Sequence, residues 1–229
     1  MIVEILFPEY ANLYGDTGNV RYLRRCLPEA EFVETAMHAQ PAFVTRDVDL
    51  IYMGPMSENA QERAIARLRP YADRLRELIE RDKVFLLTGN AMEVFGERIE
   101  NEDGSGIDGL GLIPIVAKRD MMHRYAASYK GFFGETPVVG FKAQFTTAYP
   151  TKPGLPFLHT THSMGLNRKE TGEGVRIHNL FGTYLLGPLL IMNPPFARYL
   201  LGLLGVTPDA LPFEEQAMQA YRNRLKDFE

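Results

Sequence analysis

The chain has 229 residues, 45% of them hydrophobic and 24% charged, enough apolar material for one sizeable core. Its net charge of −4 and pI of about 5.8 carry no trace of the basic stripe that marks a nucleic-acid surface, and no apolar run approaches the roughly 18 residues of a membrane span. The single cysteine, Cys26, excludes an intrachain disulfide and a multi-cysteine metal centre, and it fits a reducing cytoplasm.

In chain order, Ile2–Phe7 reads as a first strand. It holds an acid, Glu4, inside its apolar run and lacks the basic flank of a signal peptide. Gly15-Asp-Thr-Gly-Asn19 opens a helix that runs to about Cys26 and stops before Pro28, with Asp16 or Thr17 as its N-cap. The same loop has the backbone donors of an anion cradle, although no full phosphate-loop pattern follows. Cys26 reads as a packed thiol. Glu31–Thr35 alternates as an edge strand does, and Asp49–Met53 is a stronger strand leading into Gly54-Pro-Met-Ser57. Ser57 or Asn59 then caps a long helix to about Arg81, which Pro70 kinks or splits.

Beyond Phe95 the spacing predicts a loop or hairpin over 96–111, a strand over 112–117, and an aperiodic Met/Arg/Tyr segment over 118–129 placed to cover a site. Strands follow at 137–142, 144–149 and 175–180, then helices from Pro194 to about Leu204 and from Pro208 to Phe228. The alternation of strands and helices in the first half, with β-rich segments after it, predicts one α/β domain spanning 1–229. Its sheet is mostly parallel with an antiparallel extension.

The stretch that organises this pattern is Lys83–Gly96. Val84–Leu87 is a continuous apolar run, as a central parallel strand is, followed by an abrupt turn at Thr88-Gly89-Asn90 and a helix from Ala91. In α/β enzymes such an elbow presents a nucleophile at the carboxyl end of the sheet. Here its tip holds no Cys or Ser, and Thr88, the one hydroxyl, is β-branched and reads as the end of the strand. Of the five histidines, His159 and His162 are three apart in a β segment and fall on opposite faces. No third ligand is in spacing, so no metal site is predicted.

Four segments resemble one family. Asn12-Leu-Tyr-Gly-Asp-Thr-Gly-Asn-Val20, Asp49–Gly54 with Gln61-Glu62, Val139-Gly-Phe-Lys142, and Gly182-Thr-Tyr-Leu-Leu-Gly-Pro-Leu-Leu190 with Asn193-Pro194 are similar, in the correct order, to segments of class I glutamine amidotransferases of the cobyric acid synthase type. Within that family the strongest likeness is to glutaminase subunits of lipid II isoglutaminyl synthases, enzymes of the bacterial cell wall. The resemblance implies a flavodoxin-like three-layer fold, no cofactor, and a partner: a Mur-type ATP-dependent ligase or a fused synthetase. It names no small-molecule ligand.

The same resemblance exposes departures. The family elbow is Cys-Gly-Gly-(Tyr/Phe)-Gln-X-X-Gly; aligned on Gly96, the nucleophile position is Gly89, the next glycine is Asn90, and the Gln is Glu93. The family's base His falls on Leu186, beside Tyr184. The glycine-rich loop that helps form the oxyanion hole becomes Gly54-Pro-Met-Ser57, where Pro55 has no N–H to donate. The Glu and Asn of its Gly-Phe-Glu-Asn segment become Lys142 and Ala143. Losing an oxyanion donor alone costs roughly 3 kcal/mol, and here nucleophile, base and donor are altered together. The expectation is therefore a pseudo-amidotransferase serving as partner subunit or ligand-binding scaffold. The alternative is altered, non-cysteine chemistry in a pocket formed by Gly54, Pro55, Thr88, Gly89, Asn90, Glu93, Lys142 and Tyr184.

Overall fold

The computed structural model describes residues 1–229. Its central sheet has the order β13-β14-β4-β3-β1-β2, where β1 is Ile2–Leu6, β2 Glu31–Thr35, β3 Leu50–Met53, β4 Val84–Thr88, β13 Val175–Ile177 and β14 Leu180–Thr183. All neighbours pair in parallel except β13 with β14. The antiparallel extension of the central sheet is thus one short strand. The segment 175–180, which reads as one strand in the sequence, is instead the first arm and corner of a hairpin, because His178 turns the chain with φ +54°.

Both faces of this sheet are covered. Val84 and Leu86 of β4 join a core with Tyr22 and Leu23 of α1 (Thr17–Cys26) and Phe196 and Leu200 of α6 (Pro194–Leu203). Phe85 and Leu87 point the other way, into a core with Ile65 and Leu68 of α2 (Glu58–Leu68) and Leu75 and Leu78 of α3 (Ala72–Glu80). A strand side-chain period of two feeding two cores is what makes its sequence a continuous apolar run. Ser57 caps α2, its side chain accepting from Ala60 N. Pro70 lies in a 3₁₀ turn that separates α2 from α3, as the missing N–H requires. Glu4, the acid within β1, is fully buried and accepts from Thr35 Oγ1 at 2.5 Å and from the backbone N–H groups of Ala42 and Phe43 at 2.6 and 2.8 Å.

The other strands form two further four-stranded sheets. One has β10 (Thr146–Pro150), β7 (Ile115–Arg119), β5 (Arg98–Glu100) and β6 (Gly106–Asp108). The other has β12 (Gly172–Glu173), β11 (Leu158–His162), β8 (Tyr125–Phe133) and β9 (Thr136–Gln144). The segment 118–129 is a correction: most of it is the end of β7 and the start of β8, joined by a turn. The alternation of β8 is masked because its buried face includes Gly131, a position where a Cβ would lie 2.3 Å from the Tyr129 hydroxyl and 2.6 Å from His159 O.

A buried ion pair within the third sheet is hydrogen-bonded to the end of β14 in the central one. Lys142 of β9 is fully buried, and its ammonium donates to Met164 O at 2.8 Å, to Gly165 O at 2.7 Å and to the Glu173 carboxylate. Glu173 in turn accepts from Thr183 Oγ1 at 2.8 Å and Tyr184 N at 2.9 Å. Burial pulls the Lys142 pKa down and Glu173 holds it up. Breaking such a pair from one side strands a buried charge, at a cost of about 3–5 kcal/mol. Lys142→Met is therefore expected to lose about that much in urea unfolding. Adding Glu173→Gln, which keeps the acceptor for Thr183 and Tyr184 while removing the charge, should recover most of it; equal losses in single and double variants would show that the pair's charge is unimportant.

Candidate functional site

The carboxyl ends of β3, β4 and β14 lie side by side, with Met53 opposite Leu87 and Thr88 opposite Thr183. Their following loops, Gly54–Ser57, Gly89-Asn90 and Tyr184–Leu186, converge where parallel α/β sheets place ligands. Together with Leu13, Tyr14 and the β9–β10 turn they enclose a cavity of about 140 Å³. Of the residues predicted from sequence, the cavity gathers Pro55, Gly89, Asn90, Glu93, Tyr184 and Leu186. Gly54, Thr88 and Lys142 do not line it. Lys142 is committed to Glu173, as described above.

Gly89 adopts φ +59°, the left-handed turn that ends β4. A Cβ built there would stand 2.6 Å from Pro55 Cβ and 3.3 Å from Leu186 Cδ2. The first distance is shorter than real Cβ contacts allow, so Pro55, which has no N–H to donate, also fills the space of a side chain at residue 89. Leu186 is 2% exposed, and its backbone bridges Phe141 in both directions, at 2.9 and 3.3 Å. Asn90 locks the facing loop: its Oδ1 accepts from Met56 N at 3.0 Å and its Nδ2 donates to Met56 O at 2.8 Å. The next N–H after Pro55 is thereby already occupied.

Beneath the elbow, Thr88 Oγ1 donates to Asp16 Oδ2 at 2.7 Å, and Asn19 Nδ2 donates to Asp16 Oδ1 at 3.0 Å. The Tyr52 hydroxyl also donates to the Asp16 carboxylate. The sequence reading of Asp16 as a side-chain N-cap is corrected: it forms no cap hydrogen bond and turns inward, fully buried. The glycine loop around it is a packing element, since a Cβ at Gly18 would fall 2.3 Å from Pro188 Cγ. Burial raises the Asp16 pKa to about 7, with the bonds from Thr88 and Asn19 opposing.

Glu93 belongs to α4 (Ala91–Val94), four residues long, and is 1% exposed. Its Oε1 accepts from the Tyr184 hydroxyl at 2.9 Å and its Oε2 from Gln61 Nε2 at 2.8 Å. Gln61 Oε1 accepts from Arg119 Nη2 at 2.7 Å, and Arg119 Nη1 reaches Glu62 at 3.2 Å and Asn101 at 3.1 Å. Arg119 thus makes no direct hydrogen bond to Glu93, although its charge opposes the rise in the Glu93 pKa. Burial, outweighing these hydrogen bonds, raises the Glu93 pKa to about 7. Gln61, Glu58, Ala143 and Gln144 are site residues that sequence reasoning did not assign. Gln61 carried a signal: it shares the helical stripe of Ala64, Ile65 and Leu68, so a polar side chain was being sent inward. Cys26 is remote from this chemistry: it packs with Leu23 and Leu27 in the other core and does not line the cavity. Burial lifts its thiol to about 11.

An elbow with φ above zero at the end of a central strand, flanked by the loops after β3 and β14, is the geometry expected from the family resemblance. Residues 2–193 match the CobB/CobQ-like glutamine amidotransferase domain. The chain belongs to that family. It is 28% identical over 194 residues to the GatD subunit of the glutamine-hydrolysing lipid II isoglutaminyl synthase of Staphylococcus aureus strain N315, covering 83% of this chain and 78% of that protein. To the corresponding subunit of Streptococcus pneumoniae strain R6 it is 24% identical over 201 residues, covering 86% and 77%. Among solved structures, a glutamine amidotransferase superposes with a TM-score of 0.59 at 14% identity, covering 89% of this chain and 99% of that one. A second, from Thermotoga maritima, gives 0.53 at 12%, covering 97% and 92%. These likenesses establish the class I glutamine amidotransferase fold.

The two raised carboxyls at the site, Asp16 and Glu93, contribute a pH signature, to which buried Glu4 adds in the same direction. A carboxyl whose folded pKa exceeds its unfolded value binds more protons in the native state, so stability falls as pH rises between the two values. For Glu93 the window runs from 4.5 to about 7, and for Asp16 from 3.8 to about 7; each pKa unit corresponds to about 1.4 kcal/mol. Chemical denaturation between pH 5 and 8 should show stability decreasing with pH, with a shallower slope in Glu93→Gln. An unchanged slope in that variant would contradict the assignment.

Proposed function

We propose that this chain is a glutamine amidotransferase-like subunit that does not hydrolyse glutamine by the family's thioester route and that works beside a Mur-type ATP-dependent ligase or related synthetase. The observation that carries the reading is the contact at the elbow: Pro55 Cβ stands 2.6 Å from where a side chain at residue 89 would begin. A nucleophile needs a side chain there, a base beside it and free donors for the oxyanion. Gly89 supplies no side chain, Leu186 supplies no proton acceptor, Pro55 supplies no N–H, and the N–H of Met56 is held by Asn90. Membership of a family whose relatives are subunits of a synthase, together with retention of the whole fold, supports a partner-facing role. No helix is long and apolar enough to cross a membrane; a cytoplasmic place for such an assembly is part of the proposal.

The family's departures are coupled, so they should revert only together. With saturating glutamine, the chain should release glutamate no faster than an enzyme-free control. Gly89→Cys alone should stay inactive and lose roughly 1–3 kcal/mol of stability through the Pro55 contact and the strained φ. The combination of Gly89→Cys with Pro55→Gly, Asn90→Gly and Leu186→His should gain measurable turnover. Glutamine hydrolysis by the unaltered chain, abolished by thiol alkylation, would overturn the reading. Affinity purification of the tagged chain from its own cells should recover an ATP-dependent ligase, and recovery of the chain alone would count against the partner role.

A further inference from the structure

We propose that the cavity beside Gly89 binds the ammonium group of a small primary amine. The proposal rests on the reading that this pocket is released from glutamine hydrolysis, but it is carried by different residues.

The cavity lining includes two carboxylates, Glu93 and Glu58, and no Lys, Arg or His. Glu93 stands almost fully buried in the wall without an ion-pair partner. Each of its oxygens accepts one hydrogen bond, from Tyr184 or Gln61, which leaves acceptor capacity on both. Gln144, 8% exposed, also lines the cavity. Its Nε2 donates to Thr146 O at 2.5 Å, while its Oε1 accepts from nothing in the protein. A buried acceptor without a donor is costly, and a buried carboxylate without a cation more so. One group answers both needs: a compact cation with several N–H donors. A primary ammonium has three in addition to its charge, and its bonds to carboxylate are of the strong, charge-assisted kind.

The nearby cations do not fill this role: Lys142, 5.7 Å from the Tyr184 ring centroid, is paired with Glu173. Arg119 lies behind Gln61 and is engaged by Glu62 and Asn101. Arg124 stacks on Tyr14 and Phe145, 5.4 and 5.8 Å from the ring centroids, and donates to the Tyr14 hydroxyl. The volume, about 140 Å³, admits a few water-sized groups and so favours a short amine. The apolar surfaces of Pro55, Leu186 and Ala143 around it suit the carbon side of an alkylammonium.

The test is a titration of the isotopically labelled full chain with methylammonium chloride at pH 8, following the amide signals of Asn90, Glu93, Ala143 and Gln144. Potassium chloride and tetramethylammonium chloride at matched ionic strength serve as controls. Methylammonium should give saturable shifts that the controls lack. Glu93→Gln should weaken binding by about tenfold or more, Glu58→Gln by a smaller factor, and Ala143→Met, which fills the cavity from the far wall, should abolish the shifts without removing either carboxylate. Shifts equal to those of potassium, or binding undiminished in both Glu93→Gln and Ala143→Met, would overturn the proposal. The glutaminase assay above reads the other inference separately: glutamine turnover with methylammonium binding intact defeats only that one, and no turnover with no methylammonium effect defeats only this one.

Discussion

The packing of Pro55 against Gly89 governs the rest of this site. A strand that ends in a left-handed turn, at φ +59°, points whatever residue stands there toward the loop after the neighbouring strand. In this chain that loop advances a pyrrolidine ring into the space, and Leu186 closes it from the third side. The residue at the tip must then be glycine on two grounds, conformation and room. The three positions are far apart in sequence, yet they form one contact, so a side chain at residue 89 needs changes at the other two.

Hydrogen-bonded polar groups brace that contact. Asp16 supports the elbow from below through Thr88, Asn19 and Tyr52, and Asn90 staples the β3 loop to the β4 turn with two hydrogen bonds. The Lys142–Glu173 pair fixes the start of the Tyr184–Leu186 segment. These buried groups carry desolvation costs that a merely structural loop could avoid with apolar residues. Glu93 stands apart among them: it lines the cavity, it forms no ion pair, and burial is the main cause of its raised pKa. On the proposed reading the cavity lacks the parts for making a thioester, and its wall holds instead a buried carboxyl with no ion-pair partner.

The fold was largely legible because its signals are local. A continuous apolar run gave β4, Ser57 gave the start of α2, Pro70 gave the break before α3, and ordered motifs gave the family. The elbow too was visible, as a strand, a glycine and a helix without a nucleophile. What the sequence did not reveal is side-chain direction across long separations. Asp16 reads as a helix cap until Thr88, 72 residues later, takes its carboxylate. Lys142 reads as a pocket residue until Glu173, 31 residues on, neutralises it inside the third sheet. The strand β8 is hidden because Ala127 and Gly131 alternate with Tyr129 on its inner face, and small residues carry little hydrophobic periodicity. For Asp16 and Lys142 the local reading was overridden by a distant partner.

The central claim is that no nucleophile serves this elbow, and covalent trapping addresses it most directly. The chain is incubated with a diazoketone analogue of glutamine and its intact mass is measured, beside a family member that carries the elbow cysteine. The account predicts a single adduct on the control protein and none on this chain. A stoichiometric adduct on this chain that maps to Cys26, or to any residue of the cavity, would contradict it.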